Sequence, residues 1–252
     1  MSVSLPALVD EASRYLDAER IADYCPNGLQ VEGRGAVRRI VSGVTASQAL
    51  LDVALEAGAD LVLVHHGYFW KGEDACITGM KRRRLQTLLG NDISLLAYHL
   101  PLDVHPEVGN NVQLARRLGI RVEGPLEPGN PRTVGLLGRL ERPCAAVEFA
   151  RHVAEVLGRE PLLVEGDGVV ERVGWCTGGG QGYIDKAIAA GVDLYLTGEA
   201  SEQTFHSARE NGISFIAAGH HATERYGVQA LGEYLAGHFG IEHLFIDCPN
   251  PV

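Results

Sequence analysis

The chain has little of what would place it outside the cell, in a membrane or on a nucleic acid. Its five cysteines, at positions 25, 76, 144, 176 and 248, are odd in number and form no Cys-x-x-Cys pair, which excludes a thiolate zinc ribbon and indicates no disulfide framework. No apolar run approaches the roughly 20 residues that span a bilayer. The opening stretch Met1-Ser2-Val3-Ser4-Leu5-Pro6 has no basic segment followed by an apolar core. A soluble protein of the reducing cytoplasm is the expectation. Positive charge is scarce as well: 22 Lys and Arg stand against 32 Asp and Glu, a formal net charge of -10, which argues against a broad nucleic-acid surface. The one basic run, Lys81-Arg82-Arg83-Arg84, reads as a solvated helix face.

What the chain does have is alternation. Its 252 residues can bury one large α/β core or two smaller ones. After an amphipathic helix over 6–18 and a turn-rich segment to 33, the pattern predicts a strand at 39–44, a helix at 47–57, a strand at 61–64, a helix at 81–89, a strand at 93–98 and a helix at 111–118. Such alternation implies mixed, largely parallel sheets. The densest Pro/Gly stretch, 124–131, is the candidate linker. It divides the chain into an N-terminal α/β lobe at 1–124 and a C-terminal α/β lobe at 131–252, with 125–130 between them and the carboxyl-terminal segment able to pack on the first lobe.

The two lobes echo each other. Ala57-Gly58-Ala59-Asp60-Leu61-Val62-Leu63 matches Ala190-Gly191-Val192-Asp193-Leu194-Tyr195-Leu196, and Ile93-Ser94 matches Ile213-Ser214. Either Ala-Gly-x-Asp before a strand is a common coincidence in α/β proteins, or the lobes are related and face each other across a cleft. In that alignment Glu199 takes the place of His66 and His220 lies close to the place of His99.

Metal-capable side chains gather where apolar runs stop. His65 and His66 follow Leu61-Val62-Leu63-Val64 and precede Gly67; Ile93 to Tyr98 leads into His99, Asp103 and His105; Leu194-Tyr195-Leu196 ends in Thr197-Gly198-Glu199; Ile213 to Ala218 leads into His220, His221 and Glu224. Neighbours on a strand point to opposite faces, so the histidine pair turns to one cleft only beyond the strand end. There it suits two metal ions better than one. The plain reading is a loop with satisfied imidazoles. His220 and Glu224 share a face if a helix begins there. His99, His105 and His221 are open between orienting a ligand, acting as acid or base, and purely structural hydrogen bonding. Pro101 argues against a continuous helix after His99.

A glycine loop, Cys176-Thr177-Gly178-Gly179-Gly180-Gln181-Gly182, follows a predicted strand and opens a helix at 183–190. It is either a phosphate cradle, with Gly178, Gly179 and Gly180 offering unhindered N–H groups, or a plain tight turn. It has neither the P-loop lysine nor the dinucleotide spacing.

In order and spacing, Asn27-Gly28-Leu29-Gln30-Val31, His65-His66-Gly67, Tyr98-His99-Leu100-Pro101-Leu102-Asp103, Thr177-Gly178-Gly179-Gly180 and Gly219-His220-His221-Ala222-Thr223-Glu224 resemble the NIF3-like family, the GTP cyclohydrolase 1 type 2 homologs. The resemblance runs from the first helix to the carboxyl end. It implies the NIF3-like α/β fold with a metal cleft between two related lobes, and it places the family's dinuclear ligands on His65, His66, Asp103, His220 and Glu224. It implies two divalent ions per chain, about 3 to 4 Å apart, with zinc, manganese, iron and nickel all compatible with imidazole and carboxylate ligands. It also implies a toroidal homohexamer and the compact form of the family, since 124–131 is too short for the inserted domain of longer members. The activity it suggests is metal-dependent hydrolysis of a nucleotide or other small phosphorylated ligand, with His99 as candidate acid or base. The alternative is a metal-binding scaffold or regulatory protein without catalysis.

Overall fold

The computed structural model describes residues 1–130 and 133–252; Pro131, the last residue of the Pro/Gly stretch and the first of the expected C-terminal lobe, lies outside them. In chain order the elements are β1 (Val3–Ser4), α1 (Leu5–Tyr15), β2 (Gly28–Val31), β3 (Ala36–Val37), β4 (Arg39–Thr45), α2 (Gln48–Glu56), β5 (Leu61–His66), α3 (Gly79–Gly90), β6 (Ser94–Ala97) and α4 (Leu100–Val104). Then come α5 (Asn110–Leu118), β7 (Ile120–Pro125), β8 (Leu136–Ala145), α6 (Ala146–Leu157), β9 (Leu162–Val164), β10 (Val169–Cys176), α7 (Ile184–Ala189), β11 (Leu194–Thr197), α8 (Glu202–Glu210), β12 (Ser214–Ala217), α9 (His220–Phe239) and β13 (Glu242–Phe245). The fold is α/β with mixed sheets. Two compact units carry it: Met1–Gly109 with Gly227–Pro249, and Asn110–Tyr226 with Asn250–Val252.

That division corrects the expected boundary. Residues 125–130 end β7 and lead towards β8, and the two strands pair antiparallel inside the second unit. Leu114, Ala115 and Leu118 of α5 pack with Phe149 and Val153 of α6 against Val173 and Trp175 of β10, so apolar burial draws α5 into the second unit. Pro and Gly mark a turn here, not a domain boundary. At the other end, Val228, Leu231 and Leu235 of α9 pack with Leu5, Leu8 and Ala12 of α1 in the first unit. Gly227–Pro249 therefore joins the first unit, as β13 within it shows by pairing parallel to β4.

The first unit's sheet runs β13-β4-β5-β6-β2, with only β2 antiparallel to its neighbour. Alternation sends Leu61 and Leu63 to the face under α1 and α9, and Val62 and Val64 to the face under α2 and α3. Each such buried side chain contributes about 1.5–3 kcal/mol, so the core stands without the polar strand ends. The second sheet runs β7-β8-β10-β11-β12-β9. Its centre, β10-β11-β12, is parallel, while the pairings of β7 with β8, β8 with β10 and β12 with β9 are antiparallel.

The internal echo extends to atomic detail. In the first unit Asp60 Oδ2 accepts the N–H groups of Arg38 and Arg39 at 2.8 and 3.1 Å, and Asp60 O accepts Ser94 N–H. In the second, Asp193 Oδ2 accepts the N–H groups of Glu171 and Arg172 at 3.0 and 2.7 Å, and Asp193 O accepts Ser214 N–H. The Ser94 and Ser214 hydroxyls accept Gly33 and Gly166 N–H. Gly58 and Gly191 both have φ +67°, a left-handed conformation that closes a helix before a strand and favours glycine. Coincidence of sequence does not reproduce such a bonding pattern.

Candidate functional site

Within the first unit, the site residues stand at the carboxyl ends of β4, β5 and β6, where open α/β sheets bind ligands. His65 and His66 are the last two residues of β5 itself, with ring centroids 4.6 Å apart. They anchor to opposite neighbours. His65 Nδ1 lies 2.9 Å from Tyr98 O beyond β6, and His66 Nδ1 lies 3.1 Å from Thr45 Oγ1 at the end of β4. Gly67 is needed directly after the pair, because a Cβ there would strike the Gln30 amide and come within 2.7 Å of Ala97 Cβ.

A carbonyl only accepts, so His65 carries a proton on Nδ1, which puts the lone pair of the neutral ring on Nε2. That Nε2 is 3.5 Å from Asp103 Oδ1, with the His65 side chain 0% and the Asp103 side chain 9% exposed. Asp103 sits on α4, which does form. Pro101 falls in its first turn, where a missing N–H costs nothing, and this corrects the expectation that Pro101 prevents a helix after His99. His65, His66 and His99 each bring a ligand-capable atom within 4.8 Å of the others.

His99 is held from behind by Asp23, a residue that the sequence pattern does not single out. Asp23 Oδ1 lies 3.0 Å from His99 Nδ1, and Oδ2 accepts Leu100 N–H and Asn27 Nδ2 at 2.9 Å each. Asn27 Oδ1 in turn accepts His99 N–H at 2.7 Å. Burial works to raise the Asp23 pKa, but the His99 and Asn27 hydrogen bonds, the His99 charge and the Leu100 N–H together bring it down to about 2. Beside it, burial and the Asp23 charge push the Cys25 thiol up to about 12, so Cys25 is no nucleophile at neutral pH. Asp23, Cys25 and His99 also cluster closely enough to hold an ion, though the Asp23 oxygens and His99 Nδ1 are already engaged.

His105 is structural: its Nδ1 accepts Val108 N–H at 3.1 Å and its Nε2 faces Tyr15 O at 3.0 Å. Burial lowers its pKa.

Within the second unit, His220 and Glu224 lie one turn apart at the start of α9, with His220 Nε2 3.2 Å from Glu224 Oε2. Glu199 is 2.6 Å from His220 Nδ1, so it orients the imidazole from the side away from Glu224. Burial works to lower the His220 pKa, but the hydrogen bonds and charges of Glu224 and Glu199 outweigh it and raise it to about 9. His221 gives its backbone N–H to Val252 O. The glycine loop packs under this pair: a Cβ on Gly178 would collide with the Glu224 carboxylate and approach His220 Nε2 to 3.2 Å. Gly178 N–H donates to Thr223 Oγ1 at 2.9 Å and Gly180 N–H to Thr197 Oγ1 at 3.0 Å. A phosphate held by those amides would have to replace these acceptors.

The residues in each unit fit a divalent cation by donor chemistry. Imidazoles whose Nδ1 is fixed by an acceptor, with a buried carboxylate beside Nε2, are how proteins present histidine to first-row metals. No helix among the described residues is long and apolar enough to cross a membrane.

The family model described as Duf34/NIF3 (NGG1p interacting factor 3) matches residues 4–251. The chain is 76% identical over 251 residues to a Pseudomonas aeruginosa PAO1 protein named GTP cyclohydrolase 1 type 2 homolog, covering 100% of both. It is 56% identical over 252 residues to an Escherichia coli K12 protein of the same name, covering 99% of each. A solved structure described as protein ybgI, of unknown function, superposes with a TM-score of 0.96 at 55% identity, over 99% of this chain and 100% of that one. The chain belongs to the Duf34/NIF3 family.

Proposed function

We propose that the protein is a dinuclear, divalent-metal-dependent hydrolase of a nucleotide or other phosphorylated small molecule, with His65, His66, Asp103, His220 and Glu224 as ligands. The observation that carries the reading is His65: the Tyr98 carbonyl fixes its tautomer, and its Nε2 lies 3.5 Å from the buried Asp103 carboxylate. The second unit repeats the device with different parts, Glu199 behind His220 and Glu224 in front. That both sets serve one centre is supported by the family resemblance and by the donor types. The name shared by the curated relatives supports a purine nucleotide as substrate, and a homohexamer is proposed on the same resemblance.

When bound, such ions lower the pKa of a coordinated water toward neutrality. The chain's own residues supply the rest. His99, held at Nδ1 by Asp23, has Nε2 left to hold or release a proton near the histidine pair. Gly178 lets the Glu224 carboxylate lie against the loop. Gly179 and Gly180 are proposed to border the phosphate end of the substrate.

The test is elemental analysis of protein purified without a histidine tag and supplemented with divalent metal. A screen of nucleotides and phosphorylated metabolites for turnover follows. Two ions per chain are expected, with turnover lost in His65→Ala. Fewer than one ion per chain after supplementation rejects the metal centre. Full metal occupancy with no turnover and a stoichiometric protein partner supports the scaffold function instead.

A further inference from the structure

Beside His99 the first unit holds an arrangement of rings that metal ligation does not require. Tyr24 and Trp70 both meet the His99 ring edge-on, with centroids 5.0 Å away at 73° and 5.0 Å away at 83°. They lie 5.7 Å from each other at 38°, and Trp70 is 6.0 Å from the His66 ring. The result is a corner with His66 and His99 at its base and two larger rings as walls. Tyr24 is 53% exposed and the adjoining Phe69 38%, whereas Trp175, Tyr98, Tyr195 and Phe215 are fully buried.

This exposure comes with a defined backbone. Gln30 Oε1 accepts Tyr68 N–H at 2.7 Å, Ala46 O accepts the Tyr68 hydroxyl at 2.8 Å, and Tyr24 O accepts Lys71 N–H at 2.8 Å. Between these ties Phe69 is held at φ +65°, where bulky side chains rarely sit and where strain concentrates at ligand-binding sites. The Trp70 indole N–H already donates to Gly67 O at 3.2 Å. What Trp70 still offers a ligand is therefore its π surface.

We propose that Tyr24 and Trp70 form a ring-binding subsite that takes a planar heteroaromatic group, such as a purine base, and presents its edge to His66 and His99. This rests on the hydrolase reading in so far as it gives that site its substrate class. A sugar phosphate without a base gains nothing from these walls, while any base gains stacking on a π face. The loop bearing Trp70 directly follows the histidine pair, so the stacked ring and the reacting bond are set by one stretch of chain.

Tryptophan fluorescence tests this directly, because the chain has two tryptophans and Trp175 is 0% exposed. The probes are guanosine, adenosine and ribose 5-phosphate, added to metal-loaded and to chelator-treated protein. The nucleosides should quench saturably and ribose 5-phosphate should not. The quenching should vanish in Trp70→Phe, and Tyr24→Ala should weaken nucleoside binding at least about fivefold, with Tyr24→Phe close to the parent. Equal binding of ribose 5-phosphate, unchanged affinity in Tyr24→Ala, or Trp70 shielded from acrylamide by a second copy of the chain would overturn the subsite. Metal content, measured in parallel, separates the two readings. Protein that binds nucleoside but no ion defeats only the hydrolase reading, and protein that takes up metal but ignores nucleosides defeats only the ring subsite.

Discussion

Gly178 lies against Glu224 so closely that any β-carbon at 178 would occupy the space of the carboxylate. The glycine also has φ +68°, a conformation costing an L-residue about 1–2 kcal/mol. Gly178→Ala should therefore stay folded but displace Glu224 and lower metal affinity by about tenfold or more, the scale on which disturbed ligand support acts. Gly182→Ala is the control, since nothing lies within 4 Å of a Cβ there and its effect should be close to zero. Equal metal affinity in the two variants, read by calorimetric titration, would separate Glu224 from metal binding.

Much of this was legible in the sequence, and the exceptions share a cause. The fully apolar runs of β5 and β6, the histidine pair at a strand end and the Ala-Gly-x-Asp echo are local patterns, and local patterns survive in one dimension. Asp23 was not legible because it gains its meaning from His99, 76 residues later; before folding it is one acid in a turn-rich stretch. Tyr24 and Trp70 are likewise brought together only by folding, where the backbone bond from Lys71 to Tyr24 ties their segments. The expected break at 125–130 failed because Pro and Gly punctuate a connection between antiparallel strands as readily as a linker. Helix α9 could not be divided by eye: one uninterrupted helix supplies His220 and Glu224 to one unit and Leu231 and Leu235 to the other's core.

Asp23 makes a pH-dependent contribution to stability. Its pKa falls from 3.8 to about 2 on folding, so the carboxylate favours the fold above about pH 4, and that stabilisation drains away as pH falls from about 4 towards 2. A shift of this size is worth about 2 kcal/mol, and the side chain is 2% exposed, so little is lost to screening. Asp23→Asn should be less stable than the parent by about 2 kcal/mol at pH 6, with the gap closing towards pH 2. Urea unfolding across that range measures it. A gap that holds constant from pH 6 to pH 2.5 contradicts the assignment.

The paired aspartates give a comparison between units. Asp193→Ala leaves the Glu171 and Arg172 N–H groups without their acceptor, a loss of about 1–3 kcal/mol. Asp60→Ala does the same to Arg38 and Arg39 and also removes the ion pair with Arg34, 3.0 Å from Asp60 Oδ1, so its cost should be the larger. Denaturation followed by Trp175 for the second unit and by hydrogen exchange in β4 for the first should show each variant weakening its own unit more. Asp193→Ala matching Asp60→Ala would remove the Arg34 contribution, and both acting on one unit alone would show that the shared bonding pattern is not a shared stabilising device.

Glu199 stands where the internal alignment puts the counterpart of His66, yet in the structure it holds His220, a proposed ligand: its Oε1 is 2.6 Å from His220 Nδ1 and its Oε2 accepts Gln181 Nε2 at 3.2 Å. A carboxylate on the far nitrogen fixes the ring and makes Nε2 a better donor to metal. Glu199→Gln keeps an acceptor but not the charge, so metal affinity should fall by about tenfold, and Glu199→Ala, which also frees the ring to turn, by about a hundredfold. Because Glu199 lies outside the apolar clusters of the second unit, both variants should stay folded, and in the metal-free state at neutral pH they should lose only the stability that the Glu199 charge gives by holding His220 protonated. Direct metal titration of the three proteins orders them. A Glu199→Ala protein with parental affinity would remove Glu199 from the site, and with it the argument that the second unit presents His220 to metal by the same device that the first unit uses for His65.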